Sequence, residues 1–289
     1  MQLCALNSHN ELVFAARAVR QHDYFCLECG QHIRLRKGIH RQPHYYHTQA
    51  NRTCRQAGKG MAHLLAQHYI KSLLPEGEAH LEYRFSQIGR IADVVWIPRR
   101  IVYEIQYSPI AASEIKERNA DYATLGYQVV WILHDGRYNR KKITSAEDFL
   151  FSCPHYFTDI DETGKGSIYD QCALMQYGEK YFPFPRLKVD LSNPQFINNN
   201  FLNDFEVLPQ LLLQRALRWK MYFSGDYIAS WFSKTPIDSS LALAISTMND
   251  YEKKTSEKPI WEYIKDLFYR FFVAPYRAVL RLLLERACR

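Results

Sequence analysis

The chain has 289 residues, 47% of them hydrophobic, which exceeds the usual single domain and supplies ample material for a packed core, so two or three modules are expected. A formal net charge of +7 suits a polyanionic partner such as DNA, yet it falls short of the charge density of a disordered basic tail. Seven cysteines, odd in number and unevenly spread, argue against a disulfide framework, and no run approaches the roughly 18 apolar residues of a membrane span, so a soluble, cytoplasmic chain is expected.

In chain order, Leu3 to Leu6 and Leu12 to Ala16 flank Asn7-Ser8-His9-Asn10, a strand, turn, strand pattern that leads into a cysteine pair. Cys26-Leu27-Glu28-Cys29 has the spacing of a zinc knuckle, with His44, His47 and Cys54 following within reach of a short loop. The expected ligands of a structural Zn2+ are Cys26, Cys29, His47 and Cys54, with His44 as the rival histidine. A pair of reduced cysteines beside surface histidines is the alternative. Around this motif lie Arg34, Arg36, Lys37, Arg41, Arg52, Arg55 and Lys59, interleaved with Tyr45 and Tyr46. Basic side chains with nearby rings suit a surface that tracks a phosphate backbone and stacks bases, as single-stranded DNA binding requires, although a solvated basic face has the same composition.

Lys59 to Leu74 carries Met61, Leu64, Leu65, Tyr69 and Leu73 at helical spacing, and Pro75-Glu76-Gly77 stops it. Three β-rich runs follow, 79–85, 90–97 and 101–107, expected as an antiparallel meander. A helical pattern over 111–125, Gly126 at its C-terminal cap and a buried-type strand over 128–133 complete the order helix, three strands, helix, strand. Beyond Lys141 the pattern weakens into irregular structure or a linker, up to roughly Asn203. Runs at 208–219, 241–248 and 259–289 then look helical, with Pro275 kinking the last. The aromatic residues there, among them Trp261, Tyr263, Phe268, Phe271, Phe272 and Tyr276, are expected to pack helices together. The expected modules are 1–57 (Cys/His), 58–150 (mixed α/β), 151–204 (irregular connection) and 205–289 (helical).

The chemistry concentrates in the meander. Glu104 and Gln106 lie two apart on one strand and share a face. If the preceding hairpin turns through four residues, Asp93 stands directly opposite Glu104, with side chains roughly 5 Å apart. A three-residue loop would instead flip the register and send Asp93 to the other face. Two carboxylates so close need a cation between them, and Mg2+ or Mn2+ is the usual one in phosphodiester chemistry. A structural ion-pair cluster with Arg90 or Arg118 is the alternative.

These segments, 89–95, Glu104 to Ile110, Glu117-Arg118-Asn119 with Tyr122, and 130–133, resemble in order the nuclease-like domain of the competence protein CoiA family. The Cys-x-x-Cys and His44-Tyr45-Tyr46-His47 region is similar to that family's front module. The resemblance implies a mixed α/β, restriction-endonuclease-like αβββαβ core of the PD-(D/E)xK type. It further implies a role in handling incoming DNA during natural transformation, near recombination proteins. Asp93 and Glu104 match the metal-binding acids, and Gln106 stands where many related nucleases carry a lysine, leaving an amide that orients water or phosphate without a charge. His63 matches a family histidine, but its neighbours here are Lys59 and Ala62 where an acidic residue is common. Glu82 is a substitute metal ligand or, as the plainer expectation, a surface-facing strand carboxylate. Arg90, Arg118 and Tyr122 complete the auxiliary candidates. The functions in competition are a metal-dependent deoxyribonuclease, a zinc-containing DNA-binding accessory protein that cuts nothing, and an adaptor for recombination proteins.

Overall fold

Side-chain alternation along the central strands assigns each residue to one of two helix-covered faces, and the whole site is built on that choice. The computed structural model describes residues 1–39, 41–49, 54, 56, 59–176, 179–197, 208–233, 243, 246–248, 250, 264–265, 267–273 and 275–277; for Arg41, Gln176 and Arg270 it describes the backbone.

The first layer is a five-stranded antiparallel sheet of β1 (Cys4–Asn7), β2 (Leu12–Phe14), β3 (Tyr24–Phe25), β4 (His32–Gly38) and β5 (Arg41–His47), in the order β2-β1-β3-β4-β5. Asn10 closes the expected first hairpin at a φ of 61°, a conformation that asparagine adopts more readily than most residues. A small core of Ala5, Ala15, Tyr24, Ile33, Tyr45 and two of the cysteines fills this layer.

Helix α1 (Met61–Leu73) begins two residues later than its periodicity suggests, because Gly60 is extended at its N-cap. The strands β6 (Ala79–Phe85), β7 (Arg90–Trp96) and β8 (Ile101–Gln106) form the antiparallel meander, and α2 (Ala112–Thr124) leads to β9 (Gln128–His134), which runs parallel to β8. Gly126, at φ +74°, ends α2 as the sequence suggests. Its backbone N–H bonds the Ala123 carbonyl at 2.9 Å, returning the chain to the sheet.

Ile101, Tyr103 and Ile105 of β8, with Val130 and Ile132 of β9, pack with Leu64, Ala66 and Ile70 of α1. Val102, Val129, Trp131 and Leu133 point the other way, onto Ile115 and Tyr122 of α2. Each strand therefore supplies both cores, which is why these strands read as nearly continuous apolar runs.

The stretch 151–204, expected as irregular connection, carries strands among its described residues, three of which extend this sheet. After the short helices α3 (Asp135–Tyr138) and α4 (Ser145–Leu150), the strand β10 (His155–Thr158) pairs parallel to β9. Next come β11 (Ile168–Asp170), β12 (Leu174–Gln176), β13 (Glu179–Tyr181), β14 (Leu187–Lys188) and β15 (Asp190–Phe196). The seven-stranded order is β14-β11-β10-β9-β8-β7-β6. These strands escape a periodicity reading because they are two to four residues long where they join the sheet and β10 is buried on both faces.

In the region expected to be helical, α5 (Gln210–Trp219) and α6 (Tyr227–Phe232) flank a strand, β16 (Met221–Ser224), paired with β15. Arg215 of α5 fixes this part to the sheet through both oxygens of Asp170, at 2.9 and 2.8 Å. Asp226 accepts from Tyr156 Oη at 2.7 Å and from the Phe223 and Ala229 amides at 3.0 and 2.9 Å. Burial, opposed by Arg215 and reinforced by Asp170, pushes Asp226 up to about 6. The expected helices at 241–248 and 259–289 lie largely outside the described residues. Phe268, Phe271, Phe272 and Tyr276, expected to pack helices, are exposed. Among the described residues no helix is long and apolar enough to cross a membrane.

Candidate functional site

Where the two sheets meet, a cleft of about 440 Å³ is lined by Glu28 and Gln56 from the first layer and by Lys59, His63, Arg90, Asp93, Gln106 and Arg118, among others, from the second. Asp93 lines this cleft, and Glu104 is held by two of its lining residues, Arg118 and Tyr122; the acids are 4% and 1% exposed, so each charge depends on protein partners.

Asp93 Oδ1 accepts from Lys59 Nζ at 2.8 Å and Gln67 Nε2 at 2.8 Å, and lies 3.1 Å from His63 Nε2; Oδ2 accepts from the Ile105 amide at 2.8 Å. Burial alone would raise its pKa, but Lys59 and His63 outweigh that and hold the carboxyl far below the usual carboxylate range. Glu104 Oε2 accepts from Arg118 Nη1 at 2.7 Å and Oε1 from Tyr122 Oη at 2.7 Å. Its pKa is raised, first by burial, with Arg118 opposing and Asp93 adding to the shift. The two acids thus interact while their affinities for protons are driven apart, a pattern common where charge is used chemically.

The hairpin register is the expected one, with Val94, Val95 and Trp96 opposite Tyr103, Val102 and Ile101. The acids nevertheless turn to different helices, Asp93 to α1 and Glu104 to α2. The reason lies on β6 and β7. Glu82 has a φ of +47°, and beside it the alternation breaks: Leu81 and Val94 face the α1 core while Phe85 and Ala92 face the α2 core. The β6–β7 register is the same on both sides of this point, but the pairing skips Glu82 and Asp93, and this local break re-aims the Asp93 side chain.

Glu82 is not surface-facing. It is 1% exposed, and its Oε2 accepts the Leu3 and Cys4 amides at 2.7 and 2.8 Å, docking β1 onto the second sheet. Lys59, expected on a DNA-binding face, is instead ion-paired with Glu82 at 3.3 Å and Asp93 at 2.8 Å, its side chain 10% exposed. Gln106 donates to the Ser108 carbonyl at 2.7 Å and to Ser108 Oγ at 3.1 Å, so its amide is engaged by its own loop. Arg90 pairs with Asp121, Glu114 and Glu117 of α2, not with the two acids. Gln67 was missed in the sequence, although it follows His63 by one helical turn and shares its face, the spacing that would have found it.

In the first layer, Cys26, Cys29, His47 and Cys54 converge, their ligating atoms all within 4.8 Å of one another. Cys26 Sγ lies 3.6 Å from Cys54 Sγ, and Cys29 Sγ 3.3 Å from His47 Nε2. A zinc tetrahedron with metal–sulfur bonds of about 2.3 Å has edges of roughly 3.7 Å, so the group could hold a metal such as zinc. Burial pushes the Cys26 thiol up to about 12, and a metal taking this site displaces thiol protons. The rival histidine, His44, is buried away from the group with Nδ1 2.8 Å from the Gln42 carbonyl.

Arg34 and Arg36 are exposed on β4, and Arg36 lies over the Tyr46 ring at 4.9 Å. Lys37 donates to the Ala16 carbonyl at 2.7 Å. Tyr45 is fully buried and unavailable for stacking. The side chain of Arg41 and the whole of Arg52 lie outside the described residues.

Two family models match the chain. The one described as Competence protein CoiA, N-terminal domain, covers residues 8–57, and the one described as Competence protein CoiA, nuclease-like domain, covers residues 60–168, together more than half of the sequence. No curated protein and no solved structure matches it.

Proposed function

The chain belongs to the competence protein CoiA family, whose nuclease-like domain supports a competence-related role, and from that premise we propose that it is a divalent-metal-dependent deoxyribonuclease that processes incoming DNA. The reading takes 58–150 as a restriction-endonuclease-like core and 1–57 as a zinc-tied module beside it. The observation that carries it is the pair of buried, interacting carboxylates, Asp93 lining a cleft with Lys59, Arg90 and Arg118, and Glu104 held against it by Arg118 and Tyr122.

The donor set suits a hard cation. Three donors crowd Asp93 Oδ1, but Oδ2 and both Glu104 oxygens take one each and keep an acceptor site. A bound Mg2+ or Mn2+ would supply water activation and charge neutralisation. Arg118 and Tyr122 hold the Glu104 carboxylate in one orientation, while His63, Gln67 and the Ile105 amide hold Asp93. Exposed Arg34 and Arg36, with Tyr46, fit a path for single-stranded DNA leading past the metal-tied module.

The rival is a DNA-binding accessory protein that cuts nothing, acting beside recombination proteins. It draws on the pairing of each acid with a protein cation, Asp93 with Lys59 and Glu104 with Arg118. Labelled single- and double-stranded DNA incubated with purified protein in Mg2+, Mn2+ or EDTA separates the two. Cleavage that requires metal and is abolished by Asp93→Ala, with DNA affinity kept or tightened, supports the nuclease. DNA binding without cleavage in either metal transfers the assignment to the accessory protein.

A further inference from the structure

We propose that Lys59 is the cation that faces the phosphate in this cleft, supplying from the segment before α1 the charge that the neutral Gln106 lacks. The inference rests on the nuclease reading above and adds a catalytic residue to it.

Gln106 brings no charge, and its amide is spent on Ser108. The two arginines that line the cleft are tied to α2 carboxylates, Arg90 to Asp121 and Glu114 and Arg118 to Glu114, with Arg118 also on Glu104. Lys59 differs in its partners. Its Nζ lies on Asp93 Oδ1 at 2.8 Å and Glu82 Oε1 at 3.3 Å, so it shares an oxygen-bearing group with the proposed metal site. An ammonium has three N–H donors, and among the described residues no partner takes the third. Lys59 also lines the cleft, which gives that donor a place to meet a phosphate oxygen.

The backbone explains how a residue outside the helix gets there. Gly60 is extended, at φ −85° and ψ 174°, so Lys59 sits on the segment leading into α1 and reaches across to β6 and β7. Its Nζ is set between the carboxylates of Asp93 and Glu82, a geometry that holds a cation in place. A fixed cation in a poorly solvated cleft acts on a developing phosphate charge more strongly than one in water, and it needs no reorganisation when the charge appears.

The test uses the full chain, an end-labelled oligonucleotide and single-turnover cleavage in Mg2+ or Mn2+, with melting temperature and DNA affinity measured beside it. Lys59→Met should slow cleavage by about 100-fold, the typical effect of removing one electrostatic stabiliser. Because that change strands a buried carboxylate, Lys59→Met combined with Glu82→Gln is the version expected to keep its fold, and it should be equally slow at near-parent melting temperature. Lys59→Met combined with Gln106→Lys should regain at least about 10-fold over Lys59→Met alone, a rescue that a merely structural lysine would not permit. A folded Lys59→Met/Glu82→Gln protein that cleaves within a few-fold of the parent, while Asp93→Ala is inactive, overturns the role of Lys59 and leaves the nuclease reading standing. Failure of the rescue overturns it too, since charge would not be what the reaction uses. A parent protein that cleaves with neither metal removes both.

Discussion

Arg118→Met takes away the cation that compensates Glu104 and leaves packing volume nearly unchanged. Glu104 has a side chain only 2% exposed, and Arg118, 2.7 Å away, is its charged hydrogen-bond partner, with Tyr122 as the neutral one. Removing one member of a buried pair costs about 3–5 kcal/mol, because the remaining charge stays desolvated. Arg118 is itself one-fifth exposed and water reaches the site, so the lower end, about 3 kcal/mol, is expected at pH 8. For a chain of this size that is roughly 6–12 °C in melting temperature.

The loss should depend on pH with a definite sign. The pKa of Glu104 is already raised, by burial first, and the substitution raises it further. A group whose folded pKa lies above its unfolded value, about 4.3 for glutamate, contributes stability below that value and loses it as pH rises through the folded one. The penalty of Arg118→Met therefore shrinks as pH falls from 8 toward about 4 and the carboxyl takes up a proton. Urea unfolding of the parent, Arg118→Met, Glu104→Gln and the double variant at both pH values measures it as a cycle. A penalty below about 1 kcal/mol at pH 8, or one equally large near pH 4, would refute the account of Glu104 as a buried charge held by Arg118.

Zinc should copurify at about one per chain and fall in Cys26→Ser, with solubility, because a structural metal supplies folding free energy to so small a layer; elemental analysis finding no zinc in chelator-free preparations sinks this. Arg34→Gln and Arg36→Gln should each reduce the slope of log affinity against log salt by about 1 on single-stranded DNA, which equal slopes in parent and variants would contradict. Asp226, pushed up to about 6, has a folded pKa above its unfolded value, so its stabilising contribution is complete below about pH 4 and is lost as pH rises to about 6. Relative to Asp226→Asn, the parent should lose about 1.4 kcal/mol per pH unit across that window. The comparison has to be a difference, since His155, pushed down to about 4 mainly by burial, gives a slope of opposite sign; parallel stability curves for parent and variant would show that Asp226 keeps its ordinary pKa.

Local pattern in the sequence was enough for α1, the meander, α2 and β9, because each is long, periodic or bounded by residues such as Pro75 and Gly126 that dictate a stop. It was enough, too, for the Cys26, Cys29, His47 and Cys54 group, since ligand chemistry and short spacing leave few ways to close a site. For the β7–β8 hairpin the sequence left two loop lengths open, and the structure takes the register that pairs Val94 with Tyr103. Tertiary structure alone decided where the Asp93 side chain goes: the break in alternation rests on a left-handed Glu82, whose strain is sustained by the Leu3 and Cys4 amides from nearly 80 residues away, and no local pattern encodes such a partner. The same contact network takes Lys59 off the surface and onto Asp93, where charge matters most. The short strands β10, β11 and β14 were equally out of reach, because a strand of two to four residues, in β10 and β11 buried throughout, has no periodicity of its own and is specified only by the neighbours it pairs with.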